Sequence, residues 1–585
     1  MNVGASLITP VSNVGQTTGQ FFVNVTHIKP SPPNRALLQS QRQLTSPFGP
    51  LENKAGKIIS PIKVDRLAAW LEGYDVFRTQ LLLEGFSHGF RVGYSGIPEC
   101  KIYPNHKSAL ENPEVIDAYL ESEIREGRMV GPLSNPPDKF HCSPLALVPK
   151  KKPGAFRVIH NLSYPSGKSI NDFIPDYCTQ VHYQSVYDAI FMLCELGHGS
   201  FMCKSDIEKA FRLIPIHEKD QHLFLVNWKG QYYLDLRLEM GCSSACQIFE
   251  EFSSAVAWIT HHHLHIPNVH YLDDFLLGSE TKTEGNENLA RFLYMCRDIG
   301  IPIALDKTFA PHTTMSFLGF EIDTIAQEIR LPIEKVMQCK TEILNLIERR
   351  KVRLRKLQSV IGLLNFACEV ILPGRAFLRR LISLTCGISN PYHWIVLNRS
   401  ELGIKDDLRV WLDFLDEFNG KTFFLSSQIF SNSDLKLFTD SSLLGYGGHF
   451  FHPLANCTEW FFGAWSSWWQ EQNIMILELY PIVIALECWG PVLENKRLLI
   501  LTDNQALVSV INKQTSKNLT VMILIRRLVR SCLKHNVLVL AEHLSGVQNF
   551  LSDALSRLQV SRFLSQCPTA AAEPIRIPEL PPSLN

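Results

Sequence analysis

Two adjacent carboxylates, Asp273 and Asp274, interrupt the apolar stretch HYLDDFLLG at residues 270–278. Buried charges are costly unless they are compensated, and neighbouring carboxylates also repel one another. A solvated hairpin turn would account for the pair without any function. A divalent-cation site would account for it as well, and that reading requires further acids elsewhere in the chain.

A third acid, Asp206, ends the apolar run FMCKSD and is followed by an aromatic residue, Phe211. If one strand ends at Asp206 and a neighbouring hairpin bends at Asp273 and Asp274, the three acids gather around one point. Divalent cations neutralise such a cluster. A pair of Mg²⁺ ions can activate an attacking hydroxyl and stabilise a leaving phosphate oxygen, which is the chemistry of nucleotide polymerisation.

A second set of acids lies in the C-terminal part of the chain. Asp440 and Asp503 each follow a strand-like run, and Glu478 lies near the start of an apolar helix. Asp553 comes later in another helical segment, after His543. Four carboxylates on strand ends and helices predict a second two-metal site.

Strands that end side by side, and helices that cover them, must position these residues. Apolar residues at three- and four-residue spacing predict helices, and short apolar runs between turn residues predict strands. A Pro-, Ser- and Gln-rich composition predicts disorder at the start. The expected segments are a disordered leader (1–55), an N-terminal helical segment (56–130), a mixed segment of strands and helices (131–325), a helical segment (326–430), a strand-first α/β segment (431–558) and a Pro-rich tail (559–585).

The composition is that of a globular multidomain protein. The 585 residues are too many for one core, and 57 basic residues balance 57 acidic ones, so net charge indicates no polyanionic partner. The positive charge is local, in the run ERRKVRLRK. We find no secretory signal and no apolar run long enough for a membrane. The 15 scattered cysteines indicate reduced thiols in an intracellular protein, although no compartment is identified.

Six segments, in a fixed order, resemble motifs of reverse transcriptases. YLDD resembles the catalytic turn, and SDIEKAF resembles the first catalytic strand. The others are the fingers-like 143–172, the Gly-containing 238–252, the lysine segment 300–311 and the primer-grip-like 315–323. The resemblance implies an α+β multidomain fold, in which a right-hand polymerase (fingers, palm and thumb) precedes an α/β ribonuclease H-like domain.

The same resemblance assigns roles to individual residues. The metal-binding acids would be Asp206, Asp273 and Asp274, with Mg²⁺ (or Mn²⁺), two per active site. The incoming deoxynucleoside triphosphate would be held by Lys152 and Arg157, and Phe211 would exclude a 2′-hydroxyl. Gly241 would lie under the template and incoming base, Tyr271 would contact substrate, and Lys307 would protonate the leaving pyrophosphate. One departure is Met240, where retroviral enzymes commonly have a glutamine.

The C-terminal acids and their spacing resemble ribonuclease H. The implied metal ligands are Asp440, Glu478, Asp503 and Asp553, with His543 on a mobile loop that assists product release and proton traffic. We expect Pro481 in the first turn of the Glu478 helix, where its missing N–H matters little. The aromatic run WFFGAWSSWW permits base stacking, but packing inside the domain is favoured.

Two further stretches narrow the resemblance. The segments 354–381 and DNQALVSVINKQTSK are similar to the polymerase–ribonuclease H region of tyrosine-recombinase (DIRS-type) retrotransposons. The implied partners are an RNA template, a DNA primer, the RNA–DNA hybrid and deoxynucleoside triphosphates, with a separate recombinase or integrase and a capsid-like protein, and no membrane. The basic helical stretch 340–384 would follow a duplex backbone.

One alternative function stays open at this point, and one metal-site pattern can be set aside. A decayed or domesticated copy of an element could act only by binding nucleic acid or protein. Its site acids would be expected to disappear early, whereas all seven metal-ligand candidates are present. A zinc-finger pattern formed by Cys242, Cys246, His261 and His265 is not expected to bind zinc, because one helix would hold the two pairs far apart.

Overall fold

The computed structural model describes residues 60–150, 154–371, 373–397, 403–417, 421–423, 435–452, 455–494, 496–535 and 537–582. The predicted leader and Lys152 lie outside these residues. The chain divides into two compact units. The first comprises the described residues up to Tyr183 together with Ile207–His263 and Met295–Pro302, and the second comprises Gln184–Asp206, Leu264–Tyr294 and the residues from Ile303 onwards.

The strands in chain order are β1 (Met129–Leu133), β2 (Leu145–Pro149), β3 (Phe156–His160), β4 (Phe201–Asp206), β5 (Leu225–Trp228), β6 (Gln231–Asp235), β7 (Asn268–Tyr271), β8 (Asp274–Ser279), β9 (Phe309–His312), β10 (Thr314–Phe317), β11 (Phe320–Asp323), β12 (Glu328–Arg330), β13 (Lys351–Arg353), β14 (Trp394–Val396), β15 (Lys421–Phe423), β16 (Lys436–Ser441), β17 (Gly445–His452), β18 (Cys457–Ala464), β19 (Arg497–Thr502) and β20 (Leu538–His543).

The α-helices in chain order are α1 (Val64–Trp70), α2 (Val76–His88), α3 (Lys107–Leu110), α4 (Pro113–Arg125), α5 (Val186–Leu196), α6 (Glu218–Gln221), α7 (Ala245–His262), α8 (Lys282–Ile299), α9 (Ile333–Glu348), α10 (Leu354–Ala367), α11 (Gly374–Ser383), α12 (Ile404–Glu417), α13 (Ser467–Gln470), α14 (Ile474–Trp489), α15 (Gln505–Lys513), α16 (Leu519–Lys534), α17 (Phe550–Ser556) and α18 (Val560–Gln566).

The first unit contains two small antiparallel sheets and the long helix α7. One sheet has the order β1-β6-β5, and the other is the hairpin β2-β3. Apolar side chains of α4, β2, β5 and β6 form a shared core that includes Ile116, Leu147 and Trp228. Helix α7 is continuous between the two halves of the predicted zinc-finger pattern, as expected from its sequence.

In the second unit, the antiparallel sheet β7-β8-β4-β9 carries the first set of acids. Helix α5 packs on this sheet, and Met192, Leu193, Met202 and Leu276 belong to its core. The backbone of Gly278 lies so close to α5 that a built Cβ would be 2.5 Å from a methyl carbon of Leu196. This close packing fixes β8, and therefore the turn that precedes it.

The basic stretch expected to be helical from 340 to 384 contains a strand as well. Helix α9 ends at Glu348, Lys351–Arg353 form β13, and α10 begins at Leu354. Strand β13 pairs antiparallel with β14. The prediction of continuous helix was wrong here because the alternation in Lys-Val-Arg buries one apolar side chain between two exposed cations, which suits a strand better than a helix.

A five-stranded sheet with the order β18-β17-β16-β19-β20 carries the second set of acids. The pairs β18-β17 and β17-β16 are antiparallel, whereas β16-β19 and β19-β20 are parallel. Helix α14 is apolar on all sides and is mostly buried, as such helices usually are. Trp460, Trp465 and Trp469 are buried, which confirms packing rather than base stacking for this aromatic run.

The segment predicted as a Pro-rich tail packs against this sheet. It begins with α18, whose Phe563 belongs to a small core with Trp460 and Leu555. Further along, the amide of Ala571 donates to the carbonyl oxygen of Thr458 on the edge strand β18. Residues 560–581 therefore form part of the C-terminal α/β structure.

The arrangement is an α+β multidomain fold in which several small antiparallel sheets precede a five-stranded mixed α/β sheet, as the sequence predicts. All 15 cysteines are free thiols. Among the described residues, every helix is too short or too polar to span a lipid bilayer.

Candidate active sites

Strand pairing places the first set of acids at one end of the β7-β8-β4-β9 sheet. Asp206 is the last residue of β4 and lies opposite Asp274, the first residue of β8. Tyr271 ends β7 and also pairs with Asp274, so Leu272 and Asp273 form the turn between the two strands. Leu272 has a positive φ of 52°, a conformation that disfavours β-carbon-bearing residues and indicates a tightly determined turn.

The electrostatic environment of these acids favours an added cation. Burial raises the pKa of Asp273, and the neighbouring Asp206 and Asp274 carboxylates raise it further. Burial also raises the pKa of Asp274, although the Lys204 ammonium opposes that shift. Because Oδ1 of Asp274 is buried without a hydrogen-bond partner among the described residues, the site retains acceptor capacity that a metal ion could use.

Two lysines compensate part of this negative charge. The Lys307 ammonium lies 2.9 Å from Oδ1 and 3.1 Å from Oδ2 of Asp206, and that contact raises the pKa of Lys307. The Lys204 ammonium lies 2.8 Å from Oδ2 of Asp274 and 3.4 Å from the carbonyl oxygen of Ser316 on β10. Lys204 therefore connects Asp274 to β10, which lies in the segment that resembles the primer grip.

Sequence reasoning missed Lys204. It lies two residues before Asp206 on β4, so both side chains point to the same face of the sheet. A lysine inside the apolar run FMCKSD was the available signal, because a charged residue within a core strand requires a counter-charge. Its partner could not be identified without the register of β4 against β8.

Of the predicted substrate-binding residues that the structure describes, Arg157, Phe211 and Gly241 lie in the first unit, and Tyr271 lies in the second. Arg157 is exposed on β3, with its guanidinium 4.0 Å from the sulfur of Met240. A Cβ built on Gly241 would come within 3.1 Å of the His160 carbonyl oxygen, so this position favours glycine. Asn171, which the sequence analysis did not single out, donates to the Gly241 carbonyl oxygen.

Phe211 is buried, and its ring packs against Phe249 with a centroid distance of 5.3 Å. The neighbouring Arg212 is held by a cluster of buried acids in the same unit. Its guanidinium donates to Asp235 and Glu239, each at 2.8 Å, so an internal cation already neutralises that cluster. The functional role of Phe211 remains a prediction.

One group of three potential ligand atoms lies within 4.8 Å of one another in the described residues, and it consists of His160, Asp235 and Glu239. Because the Arg212 guanidinium already binds Asp235 and Glu239 of this group, we do not assign a metal site to it. Among the described residues, neither predicted set of acids contains three ligand atoms that all lie within 4.8 Å of one another. The acids of the first set are instead brought together by strand pairing, and the acids of the second set influence the pKa values of one another.

The five-stranded sheet and its helices bring the second set of acids together. Asp440 lies on the central strand β16, and Asp503 directly follows β19, which is parallel to β16. Glu478 lies on α14, and Asp553 lies on α17. Both α14 and α17 pack against the β16 strand that holds Asp440.

Burial and mutual repulsion raise the pKa values of two of these acids. The pKa of Asp440 rises to about 6, mainly through burial, with contributions from Asp503 and Asp553. The pKa of Glu478 rises to about 7 through burial and the charges of Asp503 and Asp440. Oε2 of Glu478 is buried without a hydrogen-bond partner among the described residues. These features fit a divalent cation.

Hydroxyl and guanidinium groups contact this set, and no lysine in the described part of the chain forms an ion pair with it. The Ser556 hydroxyl donates to Oδ2 of Asp440 at 2.6 Å. The Asp553 carboxylate accepts hydrogen bonds from Nε of Arg557 at 2.7 Å and from Nη1 of Arg562 at 3.4 Å. Arg562 lies on α18, beyond the predicted domain boundary, so the terminal segment contributes a cation to the site.

Pro481 lies inside α14, not in its first turn as expected. The helix begins earlier because Asn473 caps it by accepting from the Met475 amide. Without an N–H, Pro481 cannot bond the Leu477 carbonyl oxygen, and the Ser441 hydroxyl donates to that oxygen instead at 2.8 Å. The proline therefore permits a direct hydrogen bond between the helix of Glu478 and the strand of Asp440.

His543 is the last residue of β20 rather than part of a loop, and it pairs with Thr502. Its side chain is exposed. The loop that follows passes close to Asp503, since a Cβ on Gly546 would lie 3.5 Å from Oδ2 of Asp503. Asn549 is buried, and its amide donates to the Thr439 carbonyl oxygen at 2.9 Å, which anchors the end of that loop to β16.

Comparison with known proteins identifies the central segment. Residues 148–322 match the family model described as reverse transcriptase (RNA-dependent DNA polymerase). Every residue predicted for the polymerase site falls within this range. The chain therefore carries a reverse transcriptase domain.

Curated relatives are retroviral-type polyproteins. The chain is 24% identical over 337 residues to the Pro-Pol polyprotein of simian foamy virus type 1, a match that covers 57% of this chain and 26% of the relative. It is 26% identical over 263 residues to the Pro-Pol polyprotein of simian foamy virus type 3 (strain LK3), covering 44% and 21%. The chain thus spans about a quarter of the length of these relatives.

Among solved structures, a foamy viral protease-reverse transcriptase in complex with an RNA/DNA hybrid is 15% identical, with a TM-score of 0.46. That similarity covers 84% of this chain and 64% of the other. A second structure of the foamy viral enzyme, in complex with dsDNA, is 16% identical, with a TM-score of 0.45 and coverage of 85% and 99%.

Proposed function

We propose that this protein is an RNA-directed DNA polymerase with ribonuclease H activity. It copies retrotransposon RNA into DNA from a primer 3′-hydroxyl and cleaves the RNA strand of the resulting hybrid. The observation that carries the proposal is the meeting of Asp206, Asp273 and Asp274 at paired strand ends within the reverse transcriptase domain. Carboxylates that repel one another in this way are suited to binding divalent cations.

The cofactor would be Mg²⁺ or Mn²⁺, two ions in each active site. When bound, these ions supply an activated attacking oxygen and stabilisation of the leaving oxygen. The residues that would hold them are Asp206, Asp273 and Asp274 in the polymerase site, and Asp440, Glu478, Asp503 and Asp553 in the nuclease site. Asp274 and Glu478 each have a buried carboxylate oxygen with no hydrogen-bond partner in the described part of the chain, which supports this assignment.

The remaining polymerase residues position the reactants. Lys307 carries a proton on an ammonium beside Asp206, which is suitable for delivery to the leaving pyrophosphate. Arg157, together with Lys152, would hold the triphosphate of the incoming nucleotide. Phe211 would exclude a 2′-hydroxyl, and its packing against Phe249 supports a rigid ring at that position.

In the nuclease half, the support comes from the raised pKa values of Asp440 and Glu478 and from the loop beside Asp503. His543, which precedes that loop, would assist proton transfer and product release. Its exposed side chain leaves it accessible to substrate.

We further propose that the protein belongs to a tyrosine-recombinase (DIRS-type) retrotransposon. The support is the similarity of segments 354–381 and 503–517 to that group. Such an element would use a separate recombinase and a capsid-like protein. A recombinase gene with an Arg…His-x-x-Arg…Tyr pattern beside this gene would support the assignment, and a retroviral-type integrase gene there would refute it.

One experiment separates the two activities from inactivity. Wild-type protein, Asp206→Ala and Asp503→Asn are assayed for extension of a DNA primer on RNA and for cleavage of RNA in a hybrid, with Mg²⁺ or Mn²⁺. We expect Asp206→Ala to lose extension alone and Asp503→Asn to lose cleavage alone. Extension that is insensitive to Asp206→Ala would refute the polymerase site, and a wild-type protein without either activity would favour a domesticated binding protein.

A further inference from the structure

The two-stranded ribbon formed by β13 and β14 presents cations and aromatic rings on its outer face. Val352 and Ile395 pair with each other and are buried below it. The residues on either side of them in the ladder, among them Lys351, Arg353 and Trp394, are exposed. Backbone hydrogen bonds continue beyond the ladder, from the Leu354 amide to the His393 carbonyl and from the Leu397 amide to the Arg350 carbonyl.

The cations of this ribbon contact rings rather than acids. The Lys351 ammonium lies 4.9 Å from the Trp394 ring centroid. The Arg353 guanidinium lies 5.3 Å from the Trp394 centroid and 5.7 Å from that of Tyr392. Within the described part of the chain, neither cation takes part in an ion pair. Their charges therefore remain available to a polyanion.

Trp394 is unusually exposed for a tryptophan of this protein. All ten tryptophans lie within the described residues, and Trp394, at 47% exposed, is the one whose side chain faces solvent to this extent. Tyr392 is 60% exposed. Three further exposed cations, Arg349, Arg350 and Arg355, flank the ribbon.

We propose that the β13–β14 ribbon binds an unpaired nucleic-acid strand, by stacking of bases on Trp394 and Tyr392 and by contacts of Lys351 and Arg353 with phosphates. Exposed rings between cations suit a single strand, because its bases are free to stack, whereas the bases of a duplex are already stacked on each other. This inference rests on the proposed function, in which a template strand must be unpaired before it is copied.

The test is equilibrium binding of the full chain to three probes, without nucleotides or divalent metal: labelled oligouridylate, a blunt RNA–DNA hybrid and heparin. The variants are the double change Tyr392→Ala/Trp394→Ala, the rescue variant Tyr392→Phe/Trp394→Phe, and Lys351→Gln/Arg353→Gln. Tyr294→Ala is the matched control, since Tyr294 is 66% exposed on α8, outside the ribbon. Melting curves check that each variant is folded.

We expect the alanine pair to weaken oligouridylate binding by about 5- to 100-fold, with little change for the blunt hybrid or heparin. The phenylalanine pair and Tyr294→Ala should bind like wild type. For the glutamine pair, the slope of the logarithm of oligouridylate affinity against the logarithm of salt concentration should become shallower by about one unit. Unchanged oligouridylate binding by the folded alanine pair, or an equal loss for heparin, would overturn the inference. Because no chemistry is measured, this result is independent of whether the two activities exist.

Discussion

The two sets of acids solve the same electrostatic problem with different neighbours. In the polymerase set, Lys307 pairs with Asp206 and Lys204 pairs with Asp274. In the nuclease set, a serine hydroxyl contacts Asp440, while the two arginine contacts lie on Asp553. Burial, together with the charges of neighbouring acids, raises the pKa of Asp440 to about 6 and that of Glu478 to about 7.

This difference shows that internal cations determine how strongly a group of acids depends on protons and metal. A site with internal ammonium groups keeps part of its charge balanced at all times. In the nuclease set the arginines contact Asp553, whereas Asp440 and Glu478 form no ion pair within the described residues, so these two acids must bind protons or external cations to reach the same balance. The two activities should therefore respond differently to substitution, pH and Mg²⁺.

The largest expected effect distinguishes the two adjacent acids of the polymerase turn. Asp274 already binds the Lys204 ammonium, whereas Asp273 lies at the turn itself. We expect Asp273→Asn to reduce single-nucleotide extension by at least about 1000-fold, and Asp274→Asn to reduce it by about 10-fold. Cleavage of hybrid RNA serves as the control and should be unaffected. Equal losses would mean that Lys204 does not reduce the contribution of Asp274.

The next effect compares the Mg²⁺ requirement of the two activities over pH. Glu478 and Asp440 have pKa values above the ordinary carboxyl range, so below about pH 7 they hold protons that Mg²⁺ must displace. The apparent Mg²⁺ affinity of RNA cleavage should fall as pH decreases from 8 to 6, by up to about tenfold per pH unit. Extension should change less, because Lys204 and Lys307 favour ionised aspartates.

In the same Mg²⁺ titrations, Glu478→Gln is the control variant. It removes one proton-binding group, so the residual cleavage should depend less steeply on pH, even though its rate is low. An Mg²⁺ requirement that changes with pH equally in both activities would contradict the comparison between the two sites.

Replacing Lys204 tests the comparison from the polymerase side. Without the ammonium, the pKa of Asp274 should rise, because a nearby positive charge favours the ionised form. We expect the acidic limb of the extension-rate profile to move about one pH unit higher in Lys204→Met. Lys204→Arg keeps the charge and should stay close to wild type. A profile that is the same in all three proteins would exclude this role for Lys204.

The smallest effect concerns the bond that Pro481 makes possible. Ser441→Ala would leave the Leu477 carbonyl without its donor, and should destabilise the folded protein by about 1–2 kcal/mol in thermal or denaturant unfolding. In a Pro481→Ala background, the amide of the new alanine can donate to the Leu477 carbonyl oxygen. There, Ser441→Ala should change the free energy of unfolding only slightly. Additive effects in this double-mutant cycle would show that the two residues are not coupled.

The sequence was sufficient to predict the main chemical features. Asp206, Asp440 and Asp503 lie at or next to strand ends as predicted, because apolar runs that end in an acid are a local signal. Buried tryptophans and the continuous α7 helix were also predictable from periodicity and composition. The roles of the predicted site residues, and the predicted domain boundaries, stay predictions.

What could not be predicted depends on contacts between distant segments. The Lys204–Asp274 pair requires knowledge of strand register, and the Ser441–Leu477 bond requires the position of α14 against β16. The early start of α14 did have a local signal, the capping residue Asn473, which the apolar pattern concealed. The β13 strand was missed because Lys and Arg are good helix formers and a strand of three residues is too short to show a clear alternation.

The pairing of the terminal segment with β18 has a consequence for biosynthesis. The amide of Thr458 donates to the carbonyl oxygen of Thr569, and the amide of Ile575 donates to that of Trp460. Residues 569–575 therefore cover the β18 edge of the sheet. During translation, residues 569–575 are synthesised about a hundred residues after β18 (Cys457–Ala464). Until then, the nascent chain exposes an unpaired strand edge, which favours chaperone binding or self-association over completion of the fold.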